Sequence, residues 1–135
     1  MTFARVPYAA LNARQKENHN FHKVAARLAD YGFTSLRVTD DFEGADFVAL
    51  HVDGETMLRV QLKSRMTLAR KYLGRGVHIA FRLGDRIFLY PHDEMVARVR
   101  AAGGLDGTVS WEEAGLYTWP RPPARAAAML EGYAL

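Results

Sequence analysis

The chain contains no cysteine. That excludes structural disulfides, a thiol nucleophile and every thiolate metal centre. No apolar run approaches the length needed to cross a membrane, and no signal-peptide pattern opens the chain, so the expectation is a cytoplasmic protein with no membrane partner. Proline is scarce, five in 135 residues, and there is no internal repeat or low-complexity linker. The expectation is therefore one domain over residues 1–135, with a core over about 9–103 and a tail, 104–135, packing on it. What is present is ordinary for a packed fold: 49% hydrophobic and 24% charged residues.

A net charge of +3 is too small to argue for nucleic acid by itself. Its distribution says more. Between Asp40 and Glu55 there are six acidic residues and no Lys or Arg, whereas between Arg59 and Gly84 there are seven Lys/Arg and no acid. Such a division suits a site where carboxylates hold a cation beside a surface that holds a polyanion, although a solvated basic face has the same composition.

Hydrophobic spacing predicts a helix over 11–31, with Phe21, Val24, Ala25 and Leu28 as its buried stripe and Gly32 as its stop. Strands are expected over 34–39, 45–52 and 55–63, a short helix over 67–73, and a second hairpin of 77–83 and 86–90 around Gly84-Asp85. Pro91 then opens a helix with Asp93 and Glu94 in its first turn, and this helix ends at Gly103-Gly104. In the tail, Ser110 caps a turn at Trp111, and 124–130 reads as a last helix.

The turn at Asp53-Gly54 sets the register of the first hairpin. If these are the two loop residues, Val52 opposes Glu55, Leu50 opposes Met57, Val48 opposes Arg59 and Asp46 opposes Gln61. Directly opposed residues share a face, and alternation adds Lys63 to it, opposite Gly44. The other face carries Phe47, Ala49, Leu58, Val60 and Leu62, which suits a packed helix. A carboxylate, a carboxamide and an ammonium thus meet at one end of an apolar hairpin. They form either a reactive site or a structural group at the sheet margin, a neutral hydrogen-bonded trio or an Asp46–Lys63 ion pair. Traced toward its start, the stripe of the first helix passes through Glu17 or Asn18 and then Arg14, polar groups aimed at the same sheet edge.

Gly44-Ala45-Asp46 followed by Gln61-Leu62-Lys63 resembles the PD-(D/E)xK motif in its (E/Q)xK form. The order helix, three strands, helix, strand resembles the common core of that nuclease superfamily. The phrases Glu17-Asn18-His19-Asn20-Phe21, Val60-Gln61-Leu62-Lys63 and Tyr90-Pro91-His92-Asp93-Glu94 resemble an uncharacterised bacterial group with this core. The resemblance implies a restriction-endonuclease-like α/β fold, in which a central mixed sheet of about four to five strands is flanked by helices in three layers. It implies metal-dependent phosphodiester hydrolysis of nucleic acid, DNA ahead of RNA, with Mg2+ or Mn2+ as cofactor. Asp46, the Gln61 amide and the Leu62 carbonyl would be metal donors, Lys63 would assist water attack, and Glu17 would restore the carboxylate that Gln61 replaces. Members of this superfamily often form homodimers. Arg65, Arg70, Lys71 and Arg75 are the candidates for contacts to the nucleic-acid backbone. A catalytically inactive nucleic-acid-binding module, or a structural or oligomerisation domain, are the alternative readings.

The remaining features have plainer explanations. His19 and His22 lack a ligand set for zinc and read as surface residues. His51 reads as a satisfied strand residue, and His92 as part of a helix start. Trp111, Tyr117 and Trp119 read as a small cluster pinning the tail.

Overall fold

In the computed structural model, residues 1–135 are described, the side chain of Asp41 excepted. A 3-10 turn at Tyr8–Ala10 precedes α1 (Ala13–Ala29). Strands β1 (Phe33–Phe42), β2 (Ala45–His51), β3 (Met57–Leu62) and β4 (Met66–Ala69) follow, then a 3-10 turn at Arg70–Tyr72. Next come β5 (Val77–Leu83), β6 (Arg86–Pro91), α2 (His92–Ala101), a π-turn at Ser110–Ala114, β7 (Leu116–Trp119) and α3 (Ala124–Leu130). No helix among the described residues is long and apolar enough to cross a membrane.

Five strands form one mixed sheet in the order β1-β2-β3-β5-β6; only the central β3–β5 pair is parallel. β4 and β7 make a separate antiparallel pair. Helix α1 covers one face, and its Phe21, Val24 and Leu28 pack on Phe47, Ala49, Val60, Leu62, Ala80 and Ile87. Burying each such side chain contributes roughly 1.5–3 kcal/mol. The other face is covered by α2, β4, α3 and Trp111, which pack on Val77, Ile79, Phe81, Phe88 and Tyr90. The result is the three-layer α/β architecture with a central mixed sheet that the sequence led us to expect.

α1 begins with a capping box that the hydrophobic spacing did not register. Asn12 Oδ1 accepts from Gln15 N–H at 2.8 Å and Gln15 Oε1 accepts from Asn12 N–H at 2.9 Å. Two of the helix's orphan donors are thereby satisfied. The expected hairpin register is found, with Val48 opposite Arg59 and Leu50 opposite Met57. Its loop is wider than two residues: His51 N–H closes it on the Thr56 carbonyl, and Asp53 Oδ1 accepts the Glu55 and Thr56 N–H groups.

The helix expected over 67–73 is instead strand β4 followed by a single 3-10 turn. Its backbone bonds are satisfied from elsewhere in the chain. One edge pairs with β7. On the other, Tyr90 Oη donates to the Thr67 carbonyl (2.6 Å) and accepts from Thr67 N–H (3.0 Å), and His92 Nε2 accepts from Ala69 N–H (3.0 Å). All four β4 residues are buried, so neither helical nor alternating periodicity marks the segment. β7 likewise went unread in the tail.

Candidate functional site

β1 runs regularly against β2 from Phe33–His51 to Arg37–Phe47, and the register then shifts before Phe42–Ala45. Beside the bulge lies a cavity of about 610 Å³, lined by Arg37, Val38, Thr39 and Asp40 on one side, Ala45 and Asp46 on another, and Ala13, Arg14, Glu17 and Asn18 of α1. Bulges commonly sit where a sheet edge is re-aimed toward a site.

Asp46 lies in this cavity through a local break in strand alternation. Ala45 belongs to the core under α2, whereas Phe47 belongs to the core under α1. Glu43 and Gly44, both at positive φ (54° and 88°), turn the chain just before it. The paired ladder stops at Phe47–Val60, and Asp46 Oδ2 accepts the Leu62 N–H at 2.9 Å. The carboxyl is half-buried, and its pKa is raised. Desolvation is the main cause, opposed by the Leu62 hydrogen bond and reinforced by Glu17, while Lys63 and Arg37 pull it back.

Glu17 stands between two spaces. It lines the Asp46 cavity and also a neighbouring cleft with Leu62, Lys63 and Ser64. Arg37, a residue the sequence reading did not single out, fixes this part of α1: its Nη2 is 3.5 Å from Glu17 Oε1, and its Nη1 donates to Asn18 Oδ1 at 2.5 Å. The guanidinium also stands 4.7 Å from the Phe21 ring centroid.

Lys63 is half-buried at the end of β3, with its backbone N–H on the Ala80 carbonyl. No ion pair joins it to Asp46 or to any other carboxylate among the described residues. Its Nζ lies 5.4 Å from the centroid of the buried Tyr72 ring, which also receives Lys71 at 5.1 Å. Tyr72 is thus the floor beneath Lys63, and it explains Gly44: a Cβ there would sit 3.2 Å from the Tyr72 ring.

Gln61 keeps the regular alternation between Val60 and Leu62, both in the α1-side core, and its side chain therefore points to the other face. It lines neither cavity, and its amide makes no hydrogen bond among the described residues. The structure therefore brings together Asp46, Glu17 and Lys63, with Gln61 on the adjoining face. Among the described residues no three His, Asp or Glu side chains are grouped to hold a cation. The local donors are carboxylate, carboxamide and backbone oxygens without sulfur or imidazole. That set fits a hard divalent cation such as Mg2+, with too little charge to bind it tightly unaided.

The four basic residues expected on nucleic acid separate. Arg65 is exposed, and its side chain makes no ion pair among the described residues. Lys71 is exposed and shares a cleft with Lys63 and Arg70. Arg70 is a tail anchor, since its Nη2 donates to the Trp111 carbonyl at 2.6 Å and its guanidinium lies 5.2 Å from that ring. Arg75 pairs with Glu43 at 3.2 Å. Trp111 is buried and Tyr117 packs against Trp119 (ring centroids 4.5 Å apart), the pinning cluster expected of the tail. His92 is the first residue of α2, as expected, and it is also fully buried.

No family model and no curated protein matches the chain. Among solved structures it is similar to Hjc, a Holliday junction resolvase from the archaeal hyperthermophile Archaeoglobus fulgidus. The identity is 19% and the TM-score 0.43, with 55% of this chain and 76% of that chain covered.

Proposed function

We propose that this protein is a nuclease-like hydrolase that cleaves phosphodiester bonds of nucleic acid, DNA ahead of RNA, with a divalent cation held at Asp46. The observation that carries the proposal is a half-buried Asp46 carboxyl and an ammonium, Lys63, that pairs with no carboxylate among the described residues, on two adjoining cavities that share Glu17. In a structural ion pair the two charges would meet, and they do not. A half-buried charge without a partner is costly unless a ligand supplies one.

In this reading Asp46 and Glu17 are the charged donors, and the Leu62 carbonyl adds a backbone oxygen to the protein's share of the set. The bound Mg2+ or Mn2+ would supply a Lewis acid and an acidified water. Lys63, held over the Tyr72 ring, donates hydrogen bonds to the attacking water or to a non-bridging phosphate oxygen and offsets the negative charge that grows on phosphorus. Arg37 keeps Glu17 turned toward the site. Arg65 and Lys71 hold the flanking backbone. A homodimer is compatible with this arrangement.

The test is cleavage of single-stranded, duplex and branched DNA, and of RNA, with Mg2+ or Mn2+. Metal-dependent cleavage by the wild type that is lost in Asp46→Ala and Lys63→Ala supports the reading. Gln61 is turned away from both cavities, which favours a binding module as the second reading. Salt-sensitive binding without cleavage, surviving both substitutions, would select it.

A further inference from the structure

The cleft shared by Glu17 and Lys63 has a second side that the catalytic reading does not use. Tyr8, in the 3-10 turn before α1, lines it together with Lys16, Asn20 and Ser64. An adjoining cleft of about 320 Å³ is lined by Tyr8, Asn20, Lys63, Ser64, Arg82, Gly84 and Asp85. Lys63 is therefore common to both clefts and to the groove that holds Arg70 and Lys71.

Tyr8 organises this side. Its ring centroid lies 5.5 Å from Lys16 Nζ and 5.4 Å from the Arg82 guanidinium carbon. Its hydroxyl accepts from Asn20 Nδ2 at 3.0 Å, and Asn20 Oδ1 in turn accepts from Arg82 Nε at 2.9 Å. Three elements, the N-terminal turn, α1 and β5, thus hold two cations around one aromatic ring. Neither Lys16 nor Arg82 forms an ion pair among the described residues. Of the two carboxylates at these clefts, Glu17 is turned to Arg37 and Asp85 pairs with no cation. His19, 5.4 Å from Tyr8, has its pKa lowered by burial and then by the Arg82, Lys23 and His22 charges. It adds no charge near neutral pH.

We infer that Lys16 and Arg82, gathered by Tyr8, form a phosphodiester-backbone subsite on the side of Lys63 away from Lys71. A nucleic-acid strand crossing Lys63 then has phosphates held on both sides of the bond to be cut. The cations stay unpaired because the ligand supplies the counter-charge, and the Tyr8–Asn20–Arg82 chain pre-orders them so that less freedom is lost on binding. This inference rests on the nucleic-acid substrate proposed above.

The experiment is fluorescence anisotropy with a labelled single-stranded oligodeoxynucleotide and its duplex, in an Asp46→Asn background, from about 50 to about 200 mM salt. Lys16→Gln and Arg82→Gln are compared with Lys23→Gln, a cation of α1 outside both clefts. Thermal melting accompanies each variant, and Lys16, whose side chain makes no hydrogen bond or ion pair among the described residues, guards against a folding effect of Arg82→Gln. Each cleft substitution is expected to weaken binding about three- to ten-fold and to lower the salt slope by about one, equally for all sequences. Lys23→Gln is expected to change neither. Wild-type-like affinity and slope in Lys16→Gln and Arg82→Gln, with binding otherwise intact, overturns the inference and leaves the function standing. Loss of binding to a competing mononucleotide at comparable concentration overturns it too, by assigning the cluster to a small phosphate ligand. Failure of the unsubstituted protein to bind any nucleic acid overturns the function and the inference together.

Discussion

Replacing Tyr90 with Phe isolates the interaction that makes 66–69 a strand. The ring stays in place, so no cavity opens, and its edge contact with Phe81 (6.3 Å between centroids) is kept. What is lost is one hydroxyl that serves both backbone groups of Thr67, accepting from the N–H at 3.0 Å and donating to the carbonyl at 2.6 Å. Tyr90 is 0% and Thr67 2% exposed, so bulk water does not reach either group. Each buried group left without a partner costs about 1–3 kcal/mol, which gives about 2–6 kcal/mol for the pair. For a chain of this size about 1 kcal/mol moves Tm by about 3–5 °C, so Tyr90→Phe is expected to melt about 6–30 °C below wild type. Far-UV circular dichroism read at near-neutral pH measures it. A Tm within about 2 °C of wild type would refute the argument, because β4 would then be held by β7 and apolar packing alone.

Four further outcomes follow from the same geometry. His92 is buried and its pKa is lowered by desolvation, only partly opposed by Asp93, so the unfolded chain takes up the proton first. Stability is complete above the ordinary histidine range of about 6.5 and falls as pH drops toward the folded value, and His92→Gln flattens that slope in melts at pH 5 to 8. Gly44→Ala forces an L residue to φ 88° against the Tyr72 ring. It is expected to cost about 1–3 kcal/mol in urea unfolding and to lower cleavage by disturbing Lys63. Arg70→Ala frees the Trp111 carbonyl and lowers Tm, whereas Arg65→Ala and Lys71→Ala leave Tm unchanged and weaken oligonucleotide binding. Gln61→Ala is expected to leave both cleavage and Tm close to wild type, because its side chain lines neither cavity, and loss of cleavage in that variant would return Gln61 to the oxygen set.

The parts of the fold legible in the sequence are those decided by local chemistry. Helix periodicity located α1, Gly84-Asp85 located the β5–β6 hairpin, and the alanine-rich 124–130 located α3. The β2–β3 register survives a wider loop because His51–Thr56 closes on the same pairing. What escaped is decided at a distance. β4 is a strand because Tyr90, His92 and β7 bond its backbone, and a pattern buried on every residue carries no period. Asp46 leaves the face it was assigned because Glu43 and Gly44 turn the chain just before it, and Gln61, left on the regular alternation, is thereby parted from it. Arg37 and Tyr8 act through partners on other elements, and no spacing along the chain reveals those.

The account turns on Asp46, and Asp46→Asn tests it most directly. Burial raises the Asp46 pKa, so stability falls as pH rises from the ordinary carboxyl value to the folded one, and the whole cost of the ionised carboxyl is present above it. Asparagine keeps an oxygen to accept the Leu62 N–H and removes the desolvated charge. The measurement is Mg2+-dependent cleavage of DNA, followed over time beside a thermal melt of the same protein. The account predicts a variant at least as stable as wild type with cleavage abolished. A folded Asp46→Asn that cleaves at the wild-type rate would contradict it.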